Sequence, residues 1–294
     1  MGKGETFRPD VFAYSDYILL LKDWIDYLKS GKDGVSLRDI AKRAGVSPAT
    51  ISLALSGKRK FGRRTLEKLL MVMRFNMSEE KFVMHLYTIS ESEKPQERIE
   101  AMTKIERFRE YRSSQKAEAS IFKYLHYWPH VIIREMTHLK GFENDSEWIR
   151  KMFTSKLSSQ KVDGALSFLY NSGLLKEKSN GEVALEDPYI NCDGEVLRLS
   201  LLDFHRQMLA LSSEVLVKEE SDKRFIEGFT FAIEESKLAE VEKIMMEALD
   251  KVEKLEAKEK QGERVIHAYV GFTPLTKKSN ASDDASEKDK KEAA

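Results

Sequence analysis

The 294-residue chain has one cysteine, Cys192, six prolines and no net charge. A lone thiol builds neither an internal disulfide nor a multi-cysteine metal site, which fits a reducing cytosol. Long apolar runs are missing too. The longest purely aliphatic stretch, Ile18–Leu21, is far below the roughly 20 residues of a membrane helix. Residues 1–10 lack the apolar core of a signal peptide. The expectation is a soluble, cytoplasmic protein without membrane contact. No G-x-S-x-G, P-loop or G-x-G-x-x-G stretch occurs, so neither an enzyme nor a cofactor is expected. His126 and His130 are four apart, but Pro129 lies between them, and His138 and Glu135 are three apart. With no tight ligand pattern, no metal is expected.

The absence of net charge hides a polarised chain. Lysines and arginines number 49, as do aspartates and glutamates. Residues 35–75 hold ten of the basic residues and only two acidic ones, a net +8 balanced by −8 elsewhere. Such asymmetry points to nucleic acid or membrane contact for the basic part.

The length suggests two folded units, at roughly 100–200 residues per domain. The pattern predicts a mainly α protein. Ser15 can cap a helix over 16–30, stopped by Gly31 and Gly34. Short helices are expected over 36–90, and residues 1–92 form an N-terminal helix-turn-helix domain. Residues 93–120, rich in charge, read as an exposed linker helix. Residues 121–190 are expected as a winged-helix-like unit: helices, an aromatic cluster (Tyr124, Tyr127, Trp128, Trp148) and a β-hairpin turning at Asn180-Gly181. Residues 191–276 are expected as a small α/β regulatory or dimerisation unit. It has a helix over 195–218, strands over 225–233 and 265–272, and a helix over 236–260. That helix carries Leu238, Val241, Met245, Ala248, Val252 and Leu255 at alternating spacings of three and four, which suits a partner helix or a sheet face. Residues 277–294 are expected as a disordered tail.

The informative stretch is Val35–Phe75. Ser36 caps a helix containing Leu37, Ile40, Ala41 and Ala44, and Gly45 supplies the positive φ of a tight turn. Ser47 then caps a second helix with Pro48 at its first position. Ile51 and Leu55 face inward. This is helix-turn-helix logic, with the second helix free to enter a major groove. Pro48, Ala49, Thr50 and Leu53 are expected to face bases. Ser47, Thr50 and Ser52 can bond phosphates, and Lys58, Arg59, Lys60, Arg63 and Arg64 can neutralise them.

The run from Asp39 through Ala44-Gly45-Val46-Ser47-Pro48-Ala49-Thr50 to Ser52 resembles the DNA-reading unit of LacI and Cro/repressor-type regulators. The resemblance covers about forty residues. Where LacI members usually carry arginine this chain has Leu53, so their base-reading rule does not carry over. Ala49 and Leu53 offer apolar contacts instead, for example to a thymine methyl. The whole chain, over roughly 7–278, resembles a poorly characterised bacterial family of transcriptional regulators with an N-terminal helix-turn-helix and a C-terminal domain of unknown function. The residues carrying it are Tyr14-Ser15-Asp16-Tyr17, Leu21-Lys22-Asp23-Trp24, Ser56-Gly57-Lys58-Arg59, Ile133-Arg134-Glu135, Gly173-Leu174-Leu175, Phe204-His205-Arg206-Gln207-Met208 and Pro274-Leu275-Thr276-Lys277. That resemblance implies no catalytic residues and no established ligand.

The expected function is sequence-specific DNA binding in transcription regulation, with double-stranded DNA and a second copy of the chain as partners. The sequence leaves open a small-molecule or protein effector of the C-terminal region. The alternative reading is a protein-interaction or signalling adaptor using a degenerate helix-turn-helix. For the winged-helix-like unit, with a net charge of only +2 over 147–185, a scaffold or dimer role is favoured over DNA contact.

Overall fold

The computed structural model describes residues 7–31, 34–178, 183–185, 194–218, 220, 222, 224–256 and 261–277. The fold is mainly helical. The expected turn at Asn180-Gly181 and the tail after Lys277 lie outside the described residues. The chain divides into two units, residues 1–137 with 141–220, and residues 138–140 with 221–294.

The first unit begins with a short 3₁₀ turn at Val11–Ala13, capped by Asp10, and α1 (Tyr17–Ser30), capped by Asp16 rather than Ser15. Next come α2 (Leu37–Ala44), α3 (Pro48–Leu55), α4 (Arg63–Val72) and α5 (Met77–Glu91). Glu79 closes a capping box on α5, accepting from the Asn76 backbone N–H at 2.9 Å. The buried Glu79 carboxylate also meets Arg8 at 2.6 Å, and Arg8 lies 4.8 Å over the Trp24 ring.

The expected exposed linker over 93–120 is replaced by three packed helices, α6 (Pro95–Ile105), α7 (Arg109–Ser114) and α8 (Lys116–His126). Ile99, Met102, Ile105, Tyr111 and Phe122 are all buried. Each helix is short, so each needs only a narrow apolar stripe, and the charged residues between the stripes face water. Phe12, Phe82, Phe108 and Tyr111 form an aromatic knot with ring centroids 5.0–5.8 Å apart. Tilted and edge-on packing at such distances is favourable. It ties the N-terminal turn to α5 and to the α6–α7 junction.

One continuous core therefore runs from Val11 to Leu199. The boundaries expected at 92/93 and 120/121 do not divide it. Nor does a unit begin at 191. The helix α12 (Glu195–Lys218) buries Val196, Leu199, Phe204 and Met208 and packs on α6 and α8 within the first unit.

The first unit also holds α9 (Pro129–Met136), α10 (Ser146–Met152), α11 (Ser159–Asn171) and the antiparallel pair β1 (Leu175–Glu177) and β2 (Val183–Leu185). Helices followed by a hairpin are in the expected order. The expected aromatic cluster packs in separate pairs, Trp128 with Phe153 at 5.6 Å and Trp148 with Phe142 at 5.5 Å, while Tyr124 is buried.

In the second unit only part of the expected α/β order is present. Its helix is α13 (Leu238–Glu256). Among the described residues, 225–233 and 265–272 contain no strand, and the one two-stranded sheet is β1–β2. Alternating apolar residues announce a half-buried strand, but a strand exists only where a second backbone completes its ladder. An isolated parallel bridge joins Leu139 to Gly262. No helix among the described residues is long and apolar enough to cross a membrane.

Candidate nucleic-acid interface

The helix-turn-helix is set up by residues adjacent in sequence. The Ser36 side chain accepts from the Asp39 N–H, and the Asp39 carboxylate accepts from the Ser36 N–H at 3.0 Å. These bonds to Ser36 hold the Asp39 carboxyl below its ordinary pKa. Gly45 ends α2 at φ 62°, a conformation that costs an L residue about 1–2 kcal/mol. There the Val46 N–H donates to the Ala41 carbonyl at 2.9 Å and the Gly45 N–H to that of Lys42 at 3.3 Å, closing the helix end as a Schellman turn does. Ser47 then caps α3, accepting from the Thr50 N–H at 3.1 Å, with Pro48 at the first helical position.

Ile51 and Ala54 of α3 are buried, so at about 100° per residue Ala49, Ser52 and Leu53 point away from the core. Pro48, Ala49 and Ser52 are exposed, and Leu53 is 41% exposed. A leucine held this open on a polar surface is free to meet an apolar group. Thr50 sits on the flank and is half-buried, its hydroxyl 2.8 Å from that of Ser47. One of these two hydroxyls donates to the other, which leaves the acceptor's own O–H for an outside oxygen.

The basic residues divide into two groups. Lys60 lies 3.3 Å from Glu91 and Arg63 3.1 Å from Glu67. Lys58, Arg59 and Arg64 are exposed and make no ion pair among the described residues. On α2, Arg38 is exposed, and so are Lys42 and Arg43 beside the turn. Exposed pairs such as Arg63–Glu67 are worth at most about 1 kcal/mol, so phosphate can compete for the guanidinium.

The loop carrying Lys58 to Lys60 is anchored from α5, which sequence reasoning missed. The Tyr87 hydroxyl donates to the Phe61 carbonyl at 2.9 Å. Glu91 spans two groups, accepting from the Tyr17 hydroxyl at 2.6 Å and facing Lys60 with its other oxygen. Burial, then Glu91, pushes the Tyr17 pKa up, so this hydroxyl stays a donor. The far end of α4 is held by α1. The Trp24 indole N–H donates to the Met73 carbonyl at 3.1 Å, and its ring stacks on Phe75 at 4.1 Å. The partners are 26 to 74 residues apart, so no local pattern marks them.

The histidines weighed as metal ligands have other partners. His126 Nδ1 is 2.6 Å from Asp203 Oδ2. Asp203, 1% exposed, also accepts from Arg206 and Gln207, each at 3.0 Å. His130 is buried and donates from Nδ1 to the Lys123 carbonyl at 3.0 Å. Burial pushes its pKa down to about 4, so it is a neutral core group. In α11, Lys161 and Asp163 are both exposed. The neighbouring Glu147 is held at about 2 by Arg150 and Ser159, so it carries negative charge at neutral pH.

Two family models match the chain. The model of a domain of unknown function, DUF4423, covers residues 108–272. That of the bacterial regulatory proteins of the lacI family covers residues 36–75, from the cap of α2 to Phe75. No curated protein and no solved structure matches this chain.

Proposed function

We propose that this chain, which belongs to the DUF4423 family, is a cytoplasmic, sequence-specific DNA-binding regulator of transcription that acts as a dimer. The carrying observation is that a lacI-type helix-turn-helix presents an open α3 face beside Lys58, Arg59 and Arg64, which are exposed and make no ion pair among the described residues. In this reading α3 enters the major groove. Ala49 and Leu53 meet base edges, with Thr50 at the flank. Ser47, Ser52, Lys58, Arg59 and Arg64 hold phosphates, while Lys60 and Arg63 join them by leaving Glu91 and Glu67. Apolar side chains on the reading face favour a thymine methyl over a polar base edge. The net acidic remainder of the chain supports confining DNA contact to this module and leaving α11 to scaffolding.

Selection from a random duplex pool tests this. Full-length protein should enrich a two-fold symmetric site with half-sites about one helical turn apart and a thymine in each half. The Leu53→Ala variant should lose preference at that one base pair and keep the rest. A pool that stays random would remove sequence-specific regulation and favour the adaptor reading, in which binding of a protein partner ignores the basic loop.

A further inference from the structure

Between residues 221 and 277 no described residue is buried. The segment nevertheless carries Phe225, Phe229, Ile244, Leu255, Ile266 and Leu275, each at least 61% exposed. Residues of this kind are what cores are made of, and an apolar surface of this extent on a soluble protein marks an interaction site.

The pattern of α13 says what covers it. Leu238, Val241, Met245, Ala248, Val252 and Leu255 follow one another at spacings of 3, 4, 3, 4 and 3. That is the a/d seam of a heptad repeat, here along a helix of 19 residues, or about 28 Å. With Leu238 at a, Lys237 and Ile244 fall at g, and Glu242 and Leu249 at e. Two copies laid parallel and in register bring each g residue to the e residue five positions on in the partner helix. The flanking pairs are then Lys237 with Glu242 and Ile244 with Leu249, opposite charges together and apolar residues together. An antiparallel pair that keeps all six seam positions matched sets Glu242 against Leu249 and Ile244 against Lys251. Only the parallel arrangement leaves no charge against an apolar neighbour. An unrelated partner has no reason to match this chain's own e and g residues.

We infer that the second unit is completed by a second copy of this chain, with α13 of the two copies forming a parallel, in-register coiled coil. This deepens the regulator reading, which supplies its use: one seam brings two helix-turn-helix modules to one DNA site. The seam itself needs no DNA, so its test and that of DNA binding fail separately.

The full-length protein at micromolar concentration should sediment as a particle of about 68 kDa, twice the 33.9 kDa chain. Lys237→Glu turns two symmetry-related attractions into repulsions and should weaken the dimer about tenfold. Adding Glu242→Lys should restore it, which a merely unfolded variant could not do. For direction, Ala248→Cys in a Cys192→Ser background should cross-link to itself on oxidation, because like d positions face each other only in the parallel pair. A monomer at these concentrations would overturn the proposal. So would a dimer indifferent to the charge exchange, or one in which Ala248→Cys links only to a Met245→Cys copy.

Discussion

The hydroxyl of Tyr87 in α5 reaches the carbonyl of Phe61 at 2.9 Å, and this bond pins the end of the loop that carries Lys58, Arg59 and Lys60. The loop holds three cations within three positions, and their mutual repulsion favours spreading. The bond from α5, with Glu91 beside Lys60, opposes that spreading before DNA arrives.

Tyr87→Phe should therefore cost about 1 kcal/mol of stability, the usual worth of one hydrogen bond. It should lower DNA affinity a few-fold through loss of preorganisation. The slope of log affinity against log salt should stay unchanged, because no cation is removed. Chemical denaturation and a salt series of binding isotherms separate the two effects.

Arg74 is the one non-glycine residue with positive φ, 61°, among the described residues. Its side chain is exposed, and the next residue is the buried Phe75 on the Trp24 ring. The left-handed turn thus serves to aim Phe75 inward, at a cost to Arg74. Arg74→Gly should stabilise the fold by up to about 1 kcal/mol, while Arg74→Ala should not. Comparing the urea midpoints of the two variants distinguishes backbone strain from loss of charge.

His130 predicts a pH dependence of stability. Its folded-state pKa of about 4 lies below the ordinary 6.5, so the unfolded chain binds the extra proton first as pH falls. Stability is full above pH 6.5 and declines as pH drops towards 4. The loss from this group is roughly 3 kcal/mol in all, and about 2 kcal/mol of it falls between pH 6.5 and 5. His130→Gln keeps a donor for the Lys123 carbonyl and removes the titration. Its loss of stability between pH 7 and 5 should be smaller than that of the unaltered chain by about that amount.

What could be read from sequence divides along contact range. The α2–turn–α3 unit was legible because its determinants are neighbours: Ser36 with Asp39, Gly45 at φ 62°, Ser47 before Pro48. Of Pro48, Ala49, Thr50 and Leu53, the residues expected to face outward, Pro48, Ala49 and Leu53 are exposed. Thr50 is half-buried instead, because one helical step of about 100° from the buried Ile51 sets it on the flank, where its hydroxyl meets that of Ser47. The supports of the site, Trp24 to Met73, Tyr87 to Phe61 and Glu91 to Lys60, bridge segments that only the tertiary fold joins. The same limit produced the linker reading of 93–120. Ile99, Met102 and Ile105 are a thin stripe by themselves and become core only when α5 and α12 lie against them. The segments 225–233 and 265–272 show the reverse case, where a strand-like alternation has no ladder partner within the described residues.

The most direct measurement is the affinity of full-length protein for its selected duplex across 50–300 mM salt, with and without Lys58→Ala, Arg59→Ala and Arg64→Ala combined. Steep salt dependence is expected, with the slope falling by about 3 per DNA-reading module in the triple variant and affinity lost evenly across sequences. Binding that ignores salt, or a slope untouched by removing these three cations, would contradict a DNA-reading role for this face.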